Sequence, residues 1–176
     1  MKFLPTPVDG AWLIEPEPYE DVRGSFARIF CRREFQAAGL PFEVVQSNLA
    51  RNRFAGIVRG LHYQEPPAEE RKLVRCVAGA VFDVIIDMRP ASPTRHKTFG
   101  VRLDAARAHS LFIPAGVAHG YQTLEDGTDF MYLTDQFYAP GVEKGVRYND
   151  PYFSIPWPLE PKEVTPRDSS WPLVQG

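Results

Sequence analysis

The sequence predicts an all-β fold, a sandwich or barrel built from short antiparallel strands. Its 17 prolines and 13 glycines are distributed along the 176 residues rather than gathered in one linker. They separate short runs of β-branched and aromatic residues, a spacing typical of all-β sandwiches and barrels. Only residues 32–38, with Phe35 as the apolar anchor, have the pattern of a helix.

The strongest strand signals lie in residues 72–77, 81–88, 111–113 and 130–138. Ala78-Gly79-Ala80 separates the first two runs and predicts a hairpin turn between them. Pro114 ends the third run. The segment that begins at Pro151 contains tryptophans and several prolines, and we expect it to pack over the barrel as an irregular cap.

The composition restricts the class of protein. Apolar residues make up 44% of the chain, which is enough for a globular core. The formal net charge of -2 argues against a nucleic-acid partner. No apolar run approaches the length of a membrane span, and the N-terminus lacks the apolar core of a signal peptide. Cys76 lies in an apolar run and is predicted to be a buried free thiol. We therefore expect a cytoplasmic protein.

Two short motifs contain the most informative histidines. Residues 60–64 read Gly-Leu-His-Tyr-Gln and include His62, and residues 114–119 read Pro-Ala-Gly-Val-Ala-His and end at His119. In this order they resemble the two motifs of the cupins, which are small double-sheet jelly rolls. The resemblance implies a cupin jelly-roll barrel of two antiparallel sheets with a few short helices. The plainer alternative is that both histidines are buried, hydrogen-bonded core residues.

The first motif departs from that of the metal-binding cupins. Their second histidine is replaced by Gln64, which leaves two histidines and a neutral amide. Zinc and iron favour three or more strong ligands, so a site would need Glu69 or Glu70 to complete it. We expect no metal and no cofactor.

An ordered series of further blocks makes the resemblance more specific. The series is similar to the dTDP-4-dehydrorhamnose 3,5-epimerase family and extends over nearly the whole chain. Its blocks are residues 21–24, 59–64, 72–77, 81–84, 87–89, 92–94, 113–120, 138–143, 145–151 and 167–168.

The resemblance also implies an organisation of the chain. Residues 1–176 form a single domain, with a core barrel at about 45–140 and a C-terminal cap at 141–176. Residues 1–44 supply strands to the contact in a homodimer. The substrate that the resemblance implies is a nucleoside-diphosphate sugar with a 4-keto group.

The reaction that the resemblance implies is epimerisation of the sugar at C3 and C5. It needs a base, an acid on the opposite face of the ring and a positive group beside the C4 keto oxygen. A carbonyl at C4 acidifies the hydrogens on C3 and C5, because it stabilises the carbanion as an enolate. Histidine titrates near working pH, which suits His62 as the base. The resemblance implies that Asp168 orients this histidine and that Tyr132 is the acid on the opposite face. From the sequence alone, a turn residue after proline is the preferred interpretation of Asp168, and an ordinary core aromatic is the alternative for Tyr132.

Lys72 is the candidate for the positive group. Alternation along its strand places Lys72, Val74 and Cys76 on one face. A lysine on an inward face is costly without a partner or a role, and in a dry pocket it can stabilise an enolate oxygen. The alternative is a strand-edge lysine with its ammonium in water. Asp83 is predicted to lie behind the site and to position Lys72 or His119.

The resemblance also supplies residues that bind the nucleotide and the sugar. The arginines can bind phosphate oxygens with their fork of donors, although a solvated surface arginine is the commoner case. Phe26 is a candidate for stacking on the base. In a homodimer, Arg23 and Phe26 would serve the partner's site. The implied binding residues are Arg23, Phe26, Gln46, Asn48, Arg59, His119, Tyr138, Glu143 and Arg167.

Strict strand alternation would send Arg59 and His62 to opposite faces of their strand. If both reach one site, the backbone must bend or bulge around Gly60.

Three positions depart from the family pattern. Arg28 stands where the family has glutamate, residues 49–54 replace a pair of serines and are about one residue longer, and Leu133 replaces a basic residue. These changes surround the nucleotide-binding positions, which suggests retained chemistry with a different nucleotide or sugar. TDP remains the expected carrier, and GDP, CDP and UDP sugars are the alternatives. A second alternative is inversion of C3 or C5 alone. A metal-dependent or a non-catalytic sugar-binding cupin is more remote.

Overall fold

The computed structural model describes residues 1–175, so Gly176 at the end of the expected cap lies outside it. Within these residues the chain forms fourteen strands and two short helices. In chain order they are β1 (Lys2–Pro5), β2 (Trp12–Glu15), β3 (Tyr19–Asp21), β4 (Gly24–Phe26), α1 (Arg32–Ala37), β5 (Gln46–Arg51), β6 (Ile57–Gln64), β7 (Lys72–Ala78), β8 (Ala80–Asp87), β9 (Thr98–Asp104), β10 (Ser110–Ile113), β11 (Val117–Thr123), β12 (Asp129–Thr134), β13 (Glu143–Gly145), β14 (Glu163–Val164) and α2 (Pro166–Ser169).

The strands form two main sheets, which confirms the predicted jelly roll. The first has the order β1-β2-β10-β7-β12-β5, and the second has the order β13-β6-β11-β8-β9. All of these neighbours are antiparallel, and β14 adds a short parallel pairing to β6. A separate hairpin, β3–β4, pairs only with itself among the described strands.

Apolar side chains from both sheets meet in the barrel interior. Val74, Cys76 and Phe130 of the first sheet pack with Ile85 and Tyr121 of the second. The alternation predicted for β7 is therefore confirmed, because Val74 and Cys76 share the inner face with Lys72, which lines the interior cavity. Cys76 is buried and free, as predicted.

The predicted hairpin at Ala78-Gly79-Ala80 is wrong. The turn does join β7 to β8, but the two strands do not pair with each other and belong to different sheets. Gly79 has φ +71, and a Cβ on it would lie 2.5 Å from Thr128 Oγ1. This turn is a corner at which the chain crosses the barrel, and the neighbours of β7 are instead the distant strands β10 and β12.

The aromatic run 130–138 is shorter as a strand than predicted. β12 ends at Thr134, whose hydroxyl donates to the Gln136 carbonyl at 2.9 Å. The Phe137 amide then donates to the Gln136 side chain. These local hydrogen bonds turn the backbone out of the sheet and bring Tyr138 to the rim of the barrel.

The outer faces of both sheets are covered. On the first sheet, α1 confirms the predicted helix to within one residue and buries Phe35 completely. On the second, the C-terminal segment lays Trp157 edge-on against Phe82 and exchanges hydrogen bonds between Leu159 and Gln122. This segment is less irregular than predicted, since it contains β14 and α2.

The expected bulge at Gly60 is present. His62 pairs with His119 but Arg59 pairs with Tyr121, so β6 contains one more residue than β11 across this stretch. Gly60 has φ +104, a conformation that side chains disfavour. The bulge turns Arg59 and His62 toward the same cavity.

No helix among residues 1–175 has the length and apolar character needed to cross a membrane.

Candidate active site

A cavity of about 700 Å³ opens between the two sheets. Strands of both sheets and the segment around α2 contribute to its wall. The residues predicted for catalysis and binding that line it are Gln46, Asn48, Arg59, His62, Lys72, His119, Tyr132, Tyr138, Glu143, Arg167 and Asp168. The structure therefore gathers most of the predicted set from distant parts of the chain.

His62 and Asp168 form a hydrogen-bonded pair on one wall. The ring Nε2 lies 2.7 Å from Asp168 Oδ1, and the second carboxylate oxygen accepts from the Gly60 amide at 3.2 Å. Burial alone would raise the pKa of Asp168, but its contacts with His62, Gly60 and Thr165 outweigh burial and lower the pKa. Asp168 therefore stays ionised beside the ring and fixes one of the two imidazole nitrogens.

Helix α2 begins in a way that places this aspartate. Thr165 is the N-cap and its hydroxyl accepts from the Asp168 amide at 3.2 Å, while Pro166 occupies the first turn. Both residues are favoured at these positions. The cap fixes the carboxylate in the first turn, from which it reaches His62.

Lys72 lies on β7 with its ammonium nearly enclosed. Its Nζ is 3.0 Å from Glu70 Oε1 and 3.4 Å from the His62 carbonyl oxygen. The lysine is therefore not at a solvated strand edge, because its side chain is only 11% exposed. Glu70 lines the same cavity and was not among the predicted site residues.

Tyr132 enters the cavity from the sheet opposite to that of His62. It shares the inner face of β12 with Phe130 and Thr134, as the alternation of the sequence suggests. Burial raises the pKa of Tyr132, the negative charge of Glu70 raises it further, and Arg59 opposes both. The phenol consequently holds its proton to higher pH than a free tyrosine does.

His119 is held from behind by Asp83. Its Nε2 lies 2.8 Å from Asp83 Oδ2, and its ring stacks at 6.0 Å on Phe130. Complete burial raises the pKa of Asp83, and the nearby His119 and Lys72 offset part of this rise. Asp83 thus hydrogen-bonds to His119 directly and acts on Lys72 only through its charge.

Arg59 is anchored by a residue that the sequence did not single out. Its Nε donates to Asn52 Oδ1 at 2.9 Å. Asn52 is 3% exposed and also contacts the Tyr121 hydroxyl at 3.4 Å. Burial raises the pKa of Tyr121 to about 12, so it serves as a neutral partner in this network. Asn52 belongs to the segment 49–54 that departs from the family pattern. This segment therefore holds Arg59 in place in the cavity wall.

The rim contains a second group of polar contacts. Glu143 forms an ion pair with Arg167, and its Oε1 lies 3.5 Å from His62 Nδ1. The Tyr138 amide donates to the Gln46 side chain at 2.9 Å. Arg167 also lies over the Trp171 ring at 5.9 Å. The rim thus combines a cation, a carboxylate and aromatic faces beside the His62 pair.

Two predicted binding residues are not in this cavity. Arg23 and Phe26 lie on the β3–β4 hairpin, where the Arg23 side chain is 85% exposed and Phe26 is 75% exposed. Among the described residues, the Arg23 side chain donates hydrogen bonds only to Asp21. Within a single chain these residues do not reach the other site residues.

Within a single chain, the other departures from the family pattern lie away from the cavity. Arg28 donates a hydrogen bond at 3.1 Å to Glu34, a residue of α1. Leu133 packs in the apolar cluster on the outer face of that sheet. A basic side chain at position 133 would therefore point out of the barrel.

The cavity does not have the residues of a cupin metal centre. Gln64 is committed to backbone contacts, since its side chain binds the Ala139 amide and the Ala68 carbonyl. Glu70 is paired with Lys72. Across residues 1–175, no three His, Cys, Asp or Glu side chains converge as metal ligands would.

Comparisons with known proteins agree with this geometry. The family model described as dTDP-4-dehydrorhamnose 3,5-epimerase matches residues 5–176. A dTDP-4-dehydrorhamnose 3,5-epimerase of Shigella flexneri is 39% identical over 96% of this chain and 93% of its own. A dTDP-4-dehydrorhamnose 3-epimerase of Streptomyces niveus is 37% identical over 96% of this chain and 81% of its own. A crystal structure of the dTDP-4-dehydrorhamnose 3,5-epimerase from Bacillus anthracis, with TDP and PPi bound, superposes on this structure with a TM-score of 0.95. The two sequences are 35% identical, and the superposition covers 98% of this chain and 99% of the other.

Proposed function

Because the chain belongs to the dTDP-4-dehydrorhamnose 3,5-epimerase family, we propose that it epimerises a TDP-linked 4-keto-6-deoxyhexose at C3 and C5. The observation that carries this proposal is the placement of two proton-transfer groups on opposite sheets. The His62–Asp168 pair lies on the β6 side of the cavity, and Tyr132 enters from β12. Epimerisation requires proton removal from one face of a carbon and proton delivery to the other.

Each step follows from the groups that line the cavity. Asp168 fixes one nitrogen of His62, which leaves the other nitrogen to take the proton from C3 or C5. The electron pair of the broken C–H bond moves into the ring and onto the C4 oxygen, which forms an enolate. Lys72, whose ammonium is nearly enclosed, stabilises that oxygen.

The second half of the reaction returns a proton. Tyr132 gives its proton to the opposite face of the same carbon, and the enolate collapses to the 4-keto group. The resulting phenolate takes a proton from solvent, and the His62 imidazolium loses its proton to solvent. Both groups are then ready for the second carbon or for a new substrate, and no electrons are exchanged with a redox cofactor.

We propose that the diphosphate and base are held at the rim of the cavity. Arg59 and Arg167 are the cations suited to phosphate, and Asn52 holds Arg59 in place. Gln46 and Asn48 line the cavity from β5 and offer amide groups to the nucleotide. TDP is the carrier that we propose, because the matching family is described as dTDP-4-dehydrorhamnose 3,5-epimerase and Leu133 packs outside the barrel.

The activity is tested by incubating the protein with TDP-4-keto-6-deoxyglucose in D₂O and following the sugar by NMR. Deuterium at both C3 and C5, together with inverted configuration, supports the proposal. No exchange at either carbon contradicts it. Parallel assays with the GDP, CDP and UDP analogues test the carrier, and a preference for one of them contradicts the assignment of TDP.

Inversion of a single centre is the second candidate. The Streptomyces niveus 3-epimerase is nearly as similar to this chain as the Shigella flexneri 3,5-epimerase, at 37% against 39% identity. The same base and acid serve one or two inversions. Deuterium that appears at C3 but not at C5 assigns the protein to this second class.

We further propose that the functional unit is a homodimer in which residues 1–44 contact the partner. The β3–β4 hairpin supports this, because it pairs with neither main sheet and exposes Tyr19, Val22 and Phe26. A partner's cavity would give Arg23 and Phe26 a ligand to contact. Sedimentation equilibrium tests the dimer, and a monomer at micromolar concentration contradicts it.

We also propose a cytoplasmic location, as expected from the sequence. Cys31 and Cys76 are both free thiols in the structure, which suits a reducing compartment. Fractionation of cells that produce the protein tests this location.

A further inference from the structure

Glu70 lies two residues before Lys72, where the chain enters β7. Its Oε1 is 3.0 Å from Lys72 Nζ, and the two side chains are only 12% and 11% exposed. Both line the cavity. The pair is therefore part of the cavity wall rather than a surface contact.

An enclosed pair differs energetically from an exposed one. Exposed ion pairs contribute little to the free energy of folding, because water screens the charges and two long side chains must be ordered. Burying an ammonium removes it from water, which costs free energy. If the ammonium loses its carboxylate partner, that cost remains and no attraction between opposite charges offsets it. Glu70 is the only carboxylate within ion-pair distance of Lys72 in the described part of the chain, so this cost depends on Glu70.

The remaining contacts of Lys72 define where its ammonium points. An ammonium has three N–H donors. One donates to the His62 carbonyl oxygen, 3.4 Å away, and the ion pair with Glu70 at 3.0 Å occupies a second side of the ammonium. The third donor remains for a ligand in the cavity, next to the residue proposed as the base.

We propose that Glu70 is a positioning residue for the epimerase: its carboxylate fixes the Lys72 ammonium so that the free donor faces the C4 oxygen of the sugar. This inference rests on the proposed function. A lysine side chain has several rotatable bonds, and without a fixed partner it would sample many positions. Stabilisation of an enolate depends on a donor that is already in place when the charge develops.

Glu70 also acts on the proposed acid. Its negative charge lies near Tyr132 and adds to the effect of burial in raising the pKa of that phenol. Replacing Glu70 with a neutral residue lowers the pKa of Tyr132 again. Since the acid must be protonated, activity is lost as pH rises through this pKa, and the basic limb moves to lower pH. The other titratable and charged groups that face the phenol across the cavity are Arg59, His62, Lys72, His119, Tyr121, Glu143, Arg167 and Asp168.

The test compares Glu70→Gln with Glu69→Gln as a matched control. Glu69 is the adjacent carboxylate and is exposed to solvent. For Glu70→Gln, we expect kcat for C3 exchange to fall about ten- to a hundredfold, as for a misplaced catalytic group. KM should change less than about twofold, because the lost interaction belongs to the transition state. The basic limb of the kcat–pH profile should shift to lower pH, and Glu69→Gln should match the wild type.

A second variant keeps the test decisive. Glu70→Asp retains the charge with a shorter reach, and we expect its kcat to lie between those of the wild type and Glu70→Gln. If Glu70→Gln does not fold, as judged by loss of TDP binding, a reduced kcat of Glu70→Asp supports the inference. Wild-type kcat with an unshifted basic limb in either variant overturns it, and so does an equal loss in Glu69→Gln.

The wild-type protein separates this inference from the proposed function. Wild-type protein that exchanges neither C3 nor C5 contradicts the proposed function and the inference together. Wild-type exchange that is unaffected in the Glu70 variants contradicts the inference alone.

Discussion

His62 and Asp168 are 106 residues apart in the sequence, yet their side chains meet at 2.7 Å. A two-residue strand brings them together. β14 runs parallel to β6, with Glu163 opposite Ile57 and Val164 opposite Val58. The chain then turns at Thr165 into α2, which delivers the carboxylate beside the ring. The C-terminal segment therefore completes the site as well as covering the second sheet.

Asp168→Asn should reduce exchange at C3 and C5 about a hundredfold or more, because the amide no longer fixes the tautomer or stabilises the imidazolium. The effect should appear in kcat, measured by NMR in D₂O with saturating substrate.

The pH dependence supplies a check on this variant. Because the pKa of Asp168 is lowered in the folded protein, its carboxylate contributes to the stability of the folded state at pH values above its unfolded pKa. That contribution is lost only as pH falls through the lowered folded value. Asp168 is consequently ionised beside His62 throughout the neutral range. The Asn variant lacks this charge, so it should be less active than the wild type at every pH in that range. Activity at neutral pH equal to that of the wild type would contradict the pairing with His62.

Tyr132→Phe should separate proton removal from inversion. The base remains, so part of the exchange at C3 should persist, while formation of the inverted product falls about a hundredfold as expected for loss of a general acid. Tyr63→Phe is a suitable control, because Tyr63 is the neighbour of His62 but packs on the outer face of the second sheet. An equal loss of inversion in both variants would show that the effect is structural.

The proposed exchange of N-terminal hairpins predicts complementation between inactive subunits. The Arg23→Ala homodimer should be weakly active, and the His62→Asn homodimer should be inactive. A mixed dimer should recover activity, because one of its cavities combines an intact His62 with the partner's intact Arg23. Activity measured after mixing and subunit exchange checks this. If Arg23 served its own cavity, no mixed dimer would contain an intact site, and activity would stay low.

Gly60→Ala should destabilise the protein by about 2 to 4 kcal/mol, from backbone strain and crowding together. Gly60 has φ +104, and a Cβ there would lie 2.6 Å from the His119 carbonyl oxygen. Gly127→Ala is the control, since Gly127 also has positive φ but nothing lies within 4 Å of its Cβ position. It should cost about 1 kcal/mol. Urea unfolding measures both, and equal losses would mean that the close contact at Gly60 is unimportant.

Much of the fold follows from local patterns. Alternation along residues 72–77 correctly placed Lys72 and Val74 on the inner face, and the spacing of Arg59 and His62 correctly required a bulge at Gly60. These features depend on neighbours in sequence. The apparent hairpin at Gly79 was wrong because strand pairing is decided by distant strands, and a corner between sheets uses the same small residues as a hairpin turn.

The candidate site was predictable to a similar extent. The residues taken from the family resemblance line the cavity, except for the exposed Arg23 and Phe26 and for Asp83, which lies behind His119. Asn52 was missed because its contact with Arg59 depends on the course of β5. Glu70 was missed because it lies before the first residue of β7, where strand alternation does not apply, and only the structure shows its ion pair with Lys72.

The central claim is that His62 removes the proton beside the 4-keto group. The most direct measurement compares wild-type protein with His62→Asn in D₂O, using TDP-4-keto-6-deoxyglucose and following the C3 and C5 protons by NMR. We predict that the wild type exchanges both protons and that His62→Asn, while still binding TDP, exchanges neither at a detectable rate. Near-normal exchange at either carbon in His62→Asn would contradict the assignment of the base.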